Sequence, residues 1–268
     1  MILCRGQMSS ILIVGKNSFI GSNFAKYCGG TIVGYDEIDG VDVSSFDVVI
    51  NCSIDDRYKA EKYCEEIDTN IKLSDRTRGQ FIMLSSRKVY GAYDDLVCHT
   101  EMGWTNPTDF YSENKLISEE AVLRNPSSTV LRLSNVYGFE PGRKSFFGYT
   151  IDQLLSGHIT YTISPDTKRD FIYIVDLCKI LAKIAEVKPS GIYNLGSSIA
   201  TNASTIAENI VNGYGDYIDI DYKTSIPSDQ FVLSTDKLKS MIGDIDISSI
   251  EETVFDIGRQ CKGLNYGK

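Results

Sequence analysis

The chain has 268 residues, 42% of them hydrophobic, and carries 27 lysines and arginines against 36 aspartates and glutamates, a formal net charge of −9. That length buries a core large enough for one α/β domain or a domain with a smaller appendage, and the acidic balance, without a basic cluster, argues against nucleic acid or anionic membrane as the main partner. No run approaches the ~18 apolar residues of a membrane span, and the odd, scattered cysteines (Cys4, Cys28, Cys52, Cys64, Cys98, Cys178, Cys261) suit reduced thiols of a cytosolic protein.

The opening MILCRGQMSS has neither a long apolar region nor a small-residue cleavage site, and Met8 offers an alternative start. Residues 10–14 (SILIV) are a short β-branched run that ends at Gly15, and after Lys16, Asn17, Ser18, Phe19, Ile20 and Gly21 a helical stretch begins at 22. Gly15 permits the tight turn, Gly21 lets the helix pack close to the strand, and the helix N-terminus offers amide N–H groups to a pyrophosphate. A second apolar strand over 31–35 ends at Asp36, 21 residues after Gly15. Its carboxylate can accept both ribose hydroxyls of an adenosine and repels a 2′-phosphate, which favours NAD; Lys16 leaves NADP open. Two glycines at this spacing also occur in ordinary βα turns, so the strand, the helix and Asp36 carry the dinucleotide reading together.

Residues 46–51 (FDVVIN) form the next buried strand after so short a polar connection that the usual second crossover helix is shortened or missing. A helix is expected over 59–73, with Tyr63, Ile67 and Ile71 at four-residue intervals. Residues 80–84 (QFIML) are a strand running directly into Ser85, Ser86, Arg87 and Lys88. A hydroxyl at the carboxyl end of a parallel strand stands where open α/β sheets bind ligands, which makes Ser86 a candidate contact to a substrate oxygen; serines in such turns also simply satisfy the backbone. The segment 109–124 reads as a helix that places Tyr111 and Lys115 one turn apart on one face. A phenol titrates near ~10, and a neighbouring ammonium favours the phenolate, so Tyr111 can trade a proton with a substrate hydroxyl or carbonyl. In a chain with 16 tyrosines such a pair also arises by chance, and the upstream turn and Ser86 are what give it weight.

A turn-rich loop, Phe139 to Lys144, leads into a helix over 145–155 and a β-prone run over 159–163, where substrate-selecting residues are expected. Helices follow over 175–187 and 205–211, a strand over 217–222, and a closing helix over 248–260 with Ile250, Val254 and Ile257 on one face. His99 and His158 are the only histidines, which leaves little for metal chemistry, and no metal site is expected. Without a repeat or a linker, the two halves should pack as one unit with the site in the cleft between them.

Taken together, Gly15 to Gly21 with Asp36, the Ser-Ser-x-x-Val-Tyr-Gly run from Ser85 to Gly91, and Tyr111 with Lys115 resemble the extended short-chain dehydrogenase/reductases, the group of nucleotide-sugar epimerases, dehydratases and ketoreductases. The resemblance continues through Leu131-Arg132-Leu133-Ser134-Asn135-Val136-Tyr137-Gly138, the R-D-F-I-Y run from Arg169, GIYNLG at 191–196 and STDKLKSMIG at 234–243. It implies that Tyr111 is the general acid/base, that Lys115 lowers its pKa and holds the nicotinamide ribose, and that Ser86 hydrogen-bonds the reacting oxygen. Hydride would pass between nicotinamide and a sugar carbon, commonly C4. Ser18, Phe19 and Ile20 fall in the cofactor turn, while Asn51, Cys52, Ser53 and Asn70 line or brace the cofactor groove. Asn135, Arg169 and Arg87 fall to the substrate, with Arg169 gripping a diphosphate; an ion pair with Asp170 or Asp166 is the plainer reading of that arginine.

Two departures stand out. Ser18 replaces a usual glycine, and its side chain either crowds the pyrophosphate or adds a hydroxyl contact. Arg87 and Lys88 stand where the resembling dehydratases carry Asp-Glu, and two cations supply no carboxylate base, which disfavours 4,6-dehydration. The expected protein is α/β, a Rossmann-like doubly wound parallel sheet over 1–138 that binds NAD(P), with a smaller C-terminal substrate-binding part over 139–268 whose late strands and helices return to the Rossmann core. Its expected substrate is a nucleotide-diphosphate sugar, handled by an epimerase or a keto-sugar reductase, and the resemblance implies a homodimer through a pair of helices. The alternative is a dinucleotide-binding sensor or scaffold without turnover; a sensor needs none of Ser86, Tyr111 and Lys115.

Overall fold

The computed structural model describes residues 9–265, so Cys4 and a start at Met8 lie outside the described residues. Strand β1 (Ile11–Val14) buries its last three residues. Gly15 leaves it at φ 117°, and Ser18 opens helix α1 (Phe19–Cys28) as N-cap, its hydroxyl accepting from the Gly21 amide at 2.8 Å. The helix thus begins at Phe19 rather than 22, because a capping serine sets its first turn. Strand β2 (Thr31–Val33) gives way to 3-10 turns Tyr35–Gly40 and Val43–Ser45, which stand in place of a crossover helix before β3 (Val48–Asn51).

The single helix expected over 59–73 is instead three pieces: α2 (Arg57–Ala60), a 3-10 turn Glu65–Ile67 and α3 (Thr69–Arg76). Asp68 makes the break. Its backbone is extended and its carboxylate accepts from the Asn70 amide at 2.9 Å, which starts a new helix. Strand β4 (Gln80–Ser86) and the short β5 (Val97–His99) precede α4 (Phe110–Val122), which Asp109 caps by accepting from the Ser112 amide at 2.8 Å. Then come β6 (Ser128–Leu133), β7 (Asn135–Tyr137), α5 (Phe146–Ser156), β8 (His158–Tyr161), β9 (Lys168–Tyr173) and α6 (Ile174–Val187). The chain closes with β10 (Gly191–Leu195), β11 (Ala200–Asn202), α7 (Ala203–Tyr214), β12 (Asp219–Tyr222), β13 (Phe231–Leu233), α8 (Asp236–Ile242) and α9 (Ile250–Asn265).

Six strands form one sheet in the order β10-β6-β4-β3-β1-β2, and every pair in it is parallel. The order reverses at β1, since β2 lies on one side and β3 on the other, and ligands of open α/β sheets bind at the carboxyl ends beside such a switch. Successive strand residues face opposite layers. Ile13, Ile50, Ile82 and Leu131 pack with Phe24 and the α6 residues Leu177 and Leu181, whereas Leu12, Val49, Phe81 and Val130 pack with Leu73 and Val122. The second half builds its own core around Phe147, Ile151, Phe171, Ile206 and Val254. There β11, β9, β13 and β5 form a second sheet, with β7 paired to β9, and β12 pairs β8. Helix α6 and strand β10, late in sequence, complete the main sheet and its cover. Among the described residues no helix is long and apolar enough to cross a membrane, and no group of three or more His, Cys, Asp or Glu is placed to hold a metal.

Candidate active site

The turn after β1 lies against the end of β3. A Cβ on Gly15 would stand 2.8 Å from the Cys52 carbonyl carbon, and one on Gly21 would stand 2.6 Å from the Gly15 oxygen, so both positions need glycine. Ser18 does not crowd this turn: its hydroxyl is taken by the Gly21 amide and the Cys52 thiol. Phe19 and Ile20 belong to the first turn of α1, where N–H groups have no intrahelical carbonyl and the helix dipole favours an anion. At the end of β2, exposed Asp36 folds over Gly34, its Oδ1 2.2 Å from where a Cβ would be. Lys16 is held there by the Glu37 carboxylate, with Asp36 adding to the field that raises its pKa. A 2′-phosphate would meet two carboxylates at this point, so the donor set fits NAD better than NADP.

Asn51 and Asn70 brace the end of β3 against α3. Both are buried, and the Asn51 amide donates to Asn70 Oδ1 at 2.8 Å and Thr69 Oγ1 at 2.9 Å while its oxygen accepts from the Ser53 amide and hydroxyl. Cys52 follows β3 directly, and its amide donates to the Val14 carbonyl at 2.8 Å. Burial pushes its thiol up to about 12, which makes it an inert wall of the turn.

Ser86, Tyr111 and Lys115 come together. Ser86 ends β4, and its hydroxyl accepts from the Lys88 amide at 3.2 Å and hydrogen-bonds the Tyr111 phenol. Lys115, buried under the same helix face, lies 5.8 Å from the Tyr111 ring centroid and donates to the Leu84 carbonyl at 2.8 Å. The expected depression of the Tyr111 pKa is absent: burial pushes the phenol up to about 12, Ser86 pulls it down, and Asp109 pushes it up further. Burial takes Lys115 down to about 8, against the pull of Asp68 and Glu119. Without a ligand, then, the tyrosine is a protonated acid at neutral pH, and the lysine is poised close to its own titration.

The two arginines assigned to the substrate share one carboxylate. Arg87 closes a bidentate pair on Asp229, at 2.5 and 2.6 Å, and stacks over Phe231 at 4.1 Å. Arg169 reaches the same carboxylate at 3.2 Å and the Asp229 carbonyl at 3.0 Å. Its partner is therefore neither Asp170 nor Asp166. Asp170 is instead buried and accepts from Ser197, Ser198 and Leu233. Asn135 is half-buried at the start of β7, in register with Phe171. Lys88 pairs with Asp109 at 2.7 Å and lies 6.0 Å from the Tyr111 ring.

Several supporting residues escaped sequence reasoning. Tyr58 sets its ring edge-on to Tyr111 at 6.5 Å and shares a hydrogen bond of 2.5 Å with Ser118, which also reaches Asp68. Beneath Ser86, Glu119 of α4 holds Arg132 of β6 at 2.6 Å and accepts from Ser85. These partners lie 13 to 60 residues apart, with no local spacing to mark them; only the hydroxyl Ser85, adjacent to Ser86, offered a signal.

Residues 43–196 match the model of the NAD dependent epimerase/dehydratase family. The fold is shared with UDP-N-acetylglucosamine 4-epimerase from Methanobrevibacter ruminantium M1, solved with UDP-N-acetylmuramic acid, at a TM-score of 0.77 and 17% identity over 97% of this chain and 100% of that one. RMD from Pseudomonas aeruginosa, complexed with NADPH, gives 0.75 and 18% over 97% and 100%. TunA, an NAD dependent NDP-hexosamine 5,6-dehydratase of tunicamycin biosynthesis, gives 0.73 and 18% over 94% and 98%.

Proposed function

The chain belongs to the NAD dependent epimerase/dehydratase family, and from that premise we propose that it moves hydride at a sugar carbon, C4, of a nucleotide-activated sugar, as an epimerase or a keto-sugar reductase. The observation that carries this reading is the meeting of Ser86, Tyr111 and Lys115 at the carboxyl end of β4, in the sheet whose switch point holds the glycine turn. Gly15, Gly21 and the first turn of α1 hold the dinucleotide diphosphate, and Asp36 holds its adenosine ribose. When bound, the nicotinamide supplies or accepts the hydride. Ser86 donates a hydrogen bond to the reacting sugar oxygen. Tyr111 delivers a proton to that oxygen when the sugar is reduced and takes one when it is oxidised, with the Lys115 ammonium beside its ring.

Residues 1–138 mainly serve the dinucleotide and 139–268 mainly the sugar nucleotide, with Asn135 and Arg169 at the substrate diphosphate. For Arg169 to serve, a diphosphate must share or displace Asp229. Water loss is disfavoured, because Arg87 and Lys88 are engaged by Asp229 and Asp109 and supply no carboxylate base beside Ser86. Denaturing the purified protein and identifying the released nicotinamide tests the reading first. Retained NAD near one per chain supports an epimerase, which re-reduces its own intermediate. Reversible binding of added NADH or NADPH supports a reductase, and a protein that binds neither sinks the proposal.

A further inference from the structure

We propose that Arg143, on the loop between β7 and α5, is a second anchor for the dinucleotide diphosphate, reaching the glycine turn from the other half of the molecule. The inference rests on the dinucleotide reading of that turn. Its observation is a contact across the molecule: the Arg143 guanidinium carbon lies 4.4 Å from the ring centroid of Phe19, the residue that opens α1 directly after the Ser18 cap. Gly138 makes the approach possible. A Cβ there would stand 3.1 Å from the Phe19 ring and 2.7 Å from Ile174, so only glycine lets the end of β7 close on the turn.

The loop that carries Arg143 is fixed. The Arg143 amide donates to the Glu140 carbonyl at 3.2 Å, the Ser145 amide donates to the Arg143 carbonyl at 2.8 Å, and α5 presses so closely that a Cβ on Gly148 would meet the Arg143 oxygen at 2.0 Å. Glu140, its side chain 1% exposed, takes Nη1 of the guanidinium. Nε and Nη2 have no protein partner among the described residues, and the side chain is 38% exposed. A guanidinium held by a carboxylate at one corner and a ring beneath it keeps Nε–H and Nη2–H as a fork of donors, the shape that matches two oxygens of a phosphate.

Charge bookkeeping points the same way. Ser18 already fills the Gly21 amide, which removes one donor that a helix start would otherwise offer an anion. Lys16 is bound to Glu37 and Lys115 to the Leu84 carbonyl, so neither stands ready for a diphosphate. In a chain of net charge −9, a doubly charged diphosphate at this turn needs a cation, and Arg143 is seated on the residue that frames it.

The test is titration of NADH and of ADP-ribose, which keeps the diphosphate and lacks nicotinamide, into the wild type, Arg143→Gln and Arg143→Lys, with UDP as control. Loss of a charge-assisted pair weakens NADH and ADP-ribose binding to Arg143→Gln roughly 10- to 100-fold. Arg143→Lys, which keeps charge without the fork, falls between, and UDP binds all three alike, showing that the variants are folded. Affinity for NADH also falls less steeply with salt in Arg143→Gln than in the wild type. Unchanged NADH and ADP-ribose binding by Arg143→Gln overturns the inference and leaves the proposed function standing. Loss of UDP binding with NADH binding intact assigns Arg143 to the substrate and overturns it equally. A wild type that binds neither NADH nor ADP-ribose removes the dinucleotide reading itself, and the inference with it.

Discussion

In the proposed reaction the Tyr111 phenol transfers the proton, and Tyr111→Phe removes it while keeping the ring against Tyr58. Turnover should fall by roughly 10²- to 10⁴-fold with thermal stability little changed; a variant that turned over normally would end the assignment. Lys115 makes a second, thermodynamic prediction. Burial holds it at about 8 in the folded chain, against ~10.4 when unfolded, so between these values the unfolded chain binds more protons and stability rises with pH. The gain over that window is roughly 3 kcal/mol. Tyr111, raised to about 12, acts oppositely above ~10, where the folded chain keeps its proton and stability falls. Urea denaturation of the ligand-free protein from pH 7 to 10 should show the rise, and Lys115→Met should flatten it. The spacing of Tyr111 and Lys115 was legible in the sequence; the direction of their shifts was not, because it depends on burial contributed by α2 and β4.

The two helices that matter most at the site are set by their caps. Ser18→Gly, which restores the residue usual in resembling turns, removes a side-chain cap but leaves a residue helices accept there, so it should cost only a few tenths of a kcal/mol. Gly21→Ala is far more severe, since its methyl would meet the Gly15 oxygen at 2.6 Å; NADH binding should be lost and the urea midpoint should drop. Equal stability and affinity of Gly21→Ala and wild type would contradict the close approach of α1 to β1. Elements with strong local signals were readable: β1, β3, β4 and α4 carry β-branched runs or helical spacing, and α4 begins beside its capping Asp109. The broken helix at Asp68 was not, because Tyr63, Ile67 and Ile71 keep a helical interval across two interruptions. Nor were β5, β11 and β13, whose three residues each are too few to show a period and which exist because the second sheet pairs them.

At the scale of the whole molecule, one carboxylate ties the end of the main sheet to the second half of the chain. Asp229 sits before β13 at φ 50° and holds Arg87 at the end of β4 and Arg169 on β9, partners 142 and 60 residues away in sequence. Such a link cannot be read from local pattern, and it explains why two arginines identifiable as a pair of anion-binding candidates face each other across a shared counter-charge. Removing it leaves two guanidinium groups, with side chains 9% and 16% exposed, next to one another without compensation. Asp229→Ala should therefore destabilise by roughly 3 kcal/mol, at the low end for a broken buried pair because Asp229 itself keeps some water contact. Asp229→Gly loses the same charge but tolerates the left-handed backbone, and should recover about 1 kcal/mol of that loss. Both losses should shrink in high salt or in the presence of UDP, since either supplies anions to the uncompensated arginine pair. Urea midpoints of the three proteins, with and without UDP, decide the matter: if Asp229→Ala matches wild type, the two arginines do not depend on this carboxylate, and if UDP stabilises the variant no more than the wild type, the pair is a structural clamp rather than a diphosphate grip.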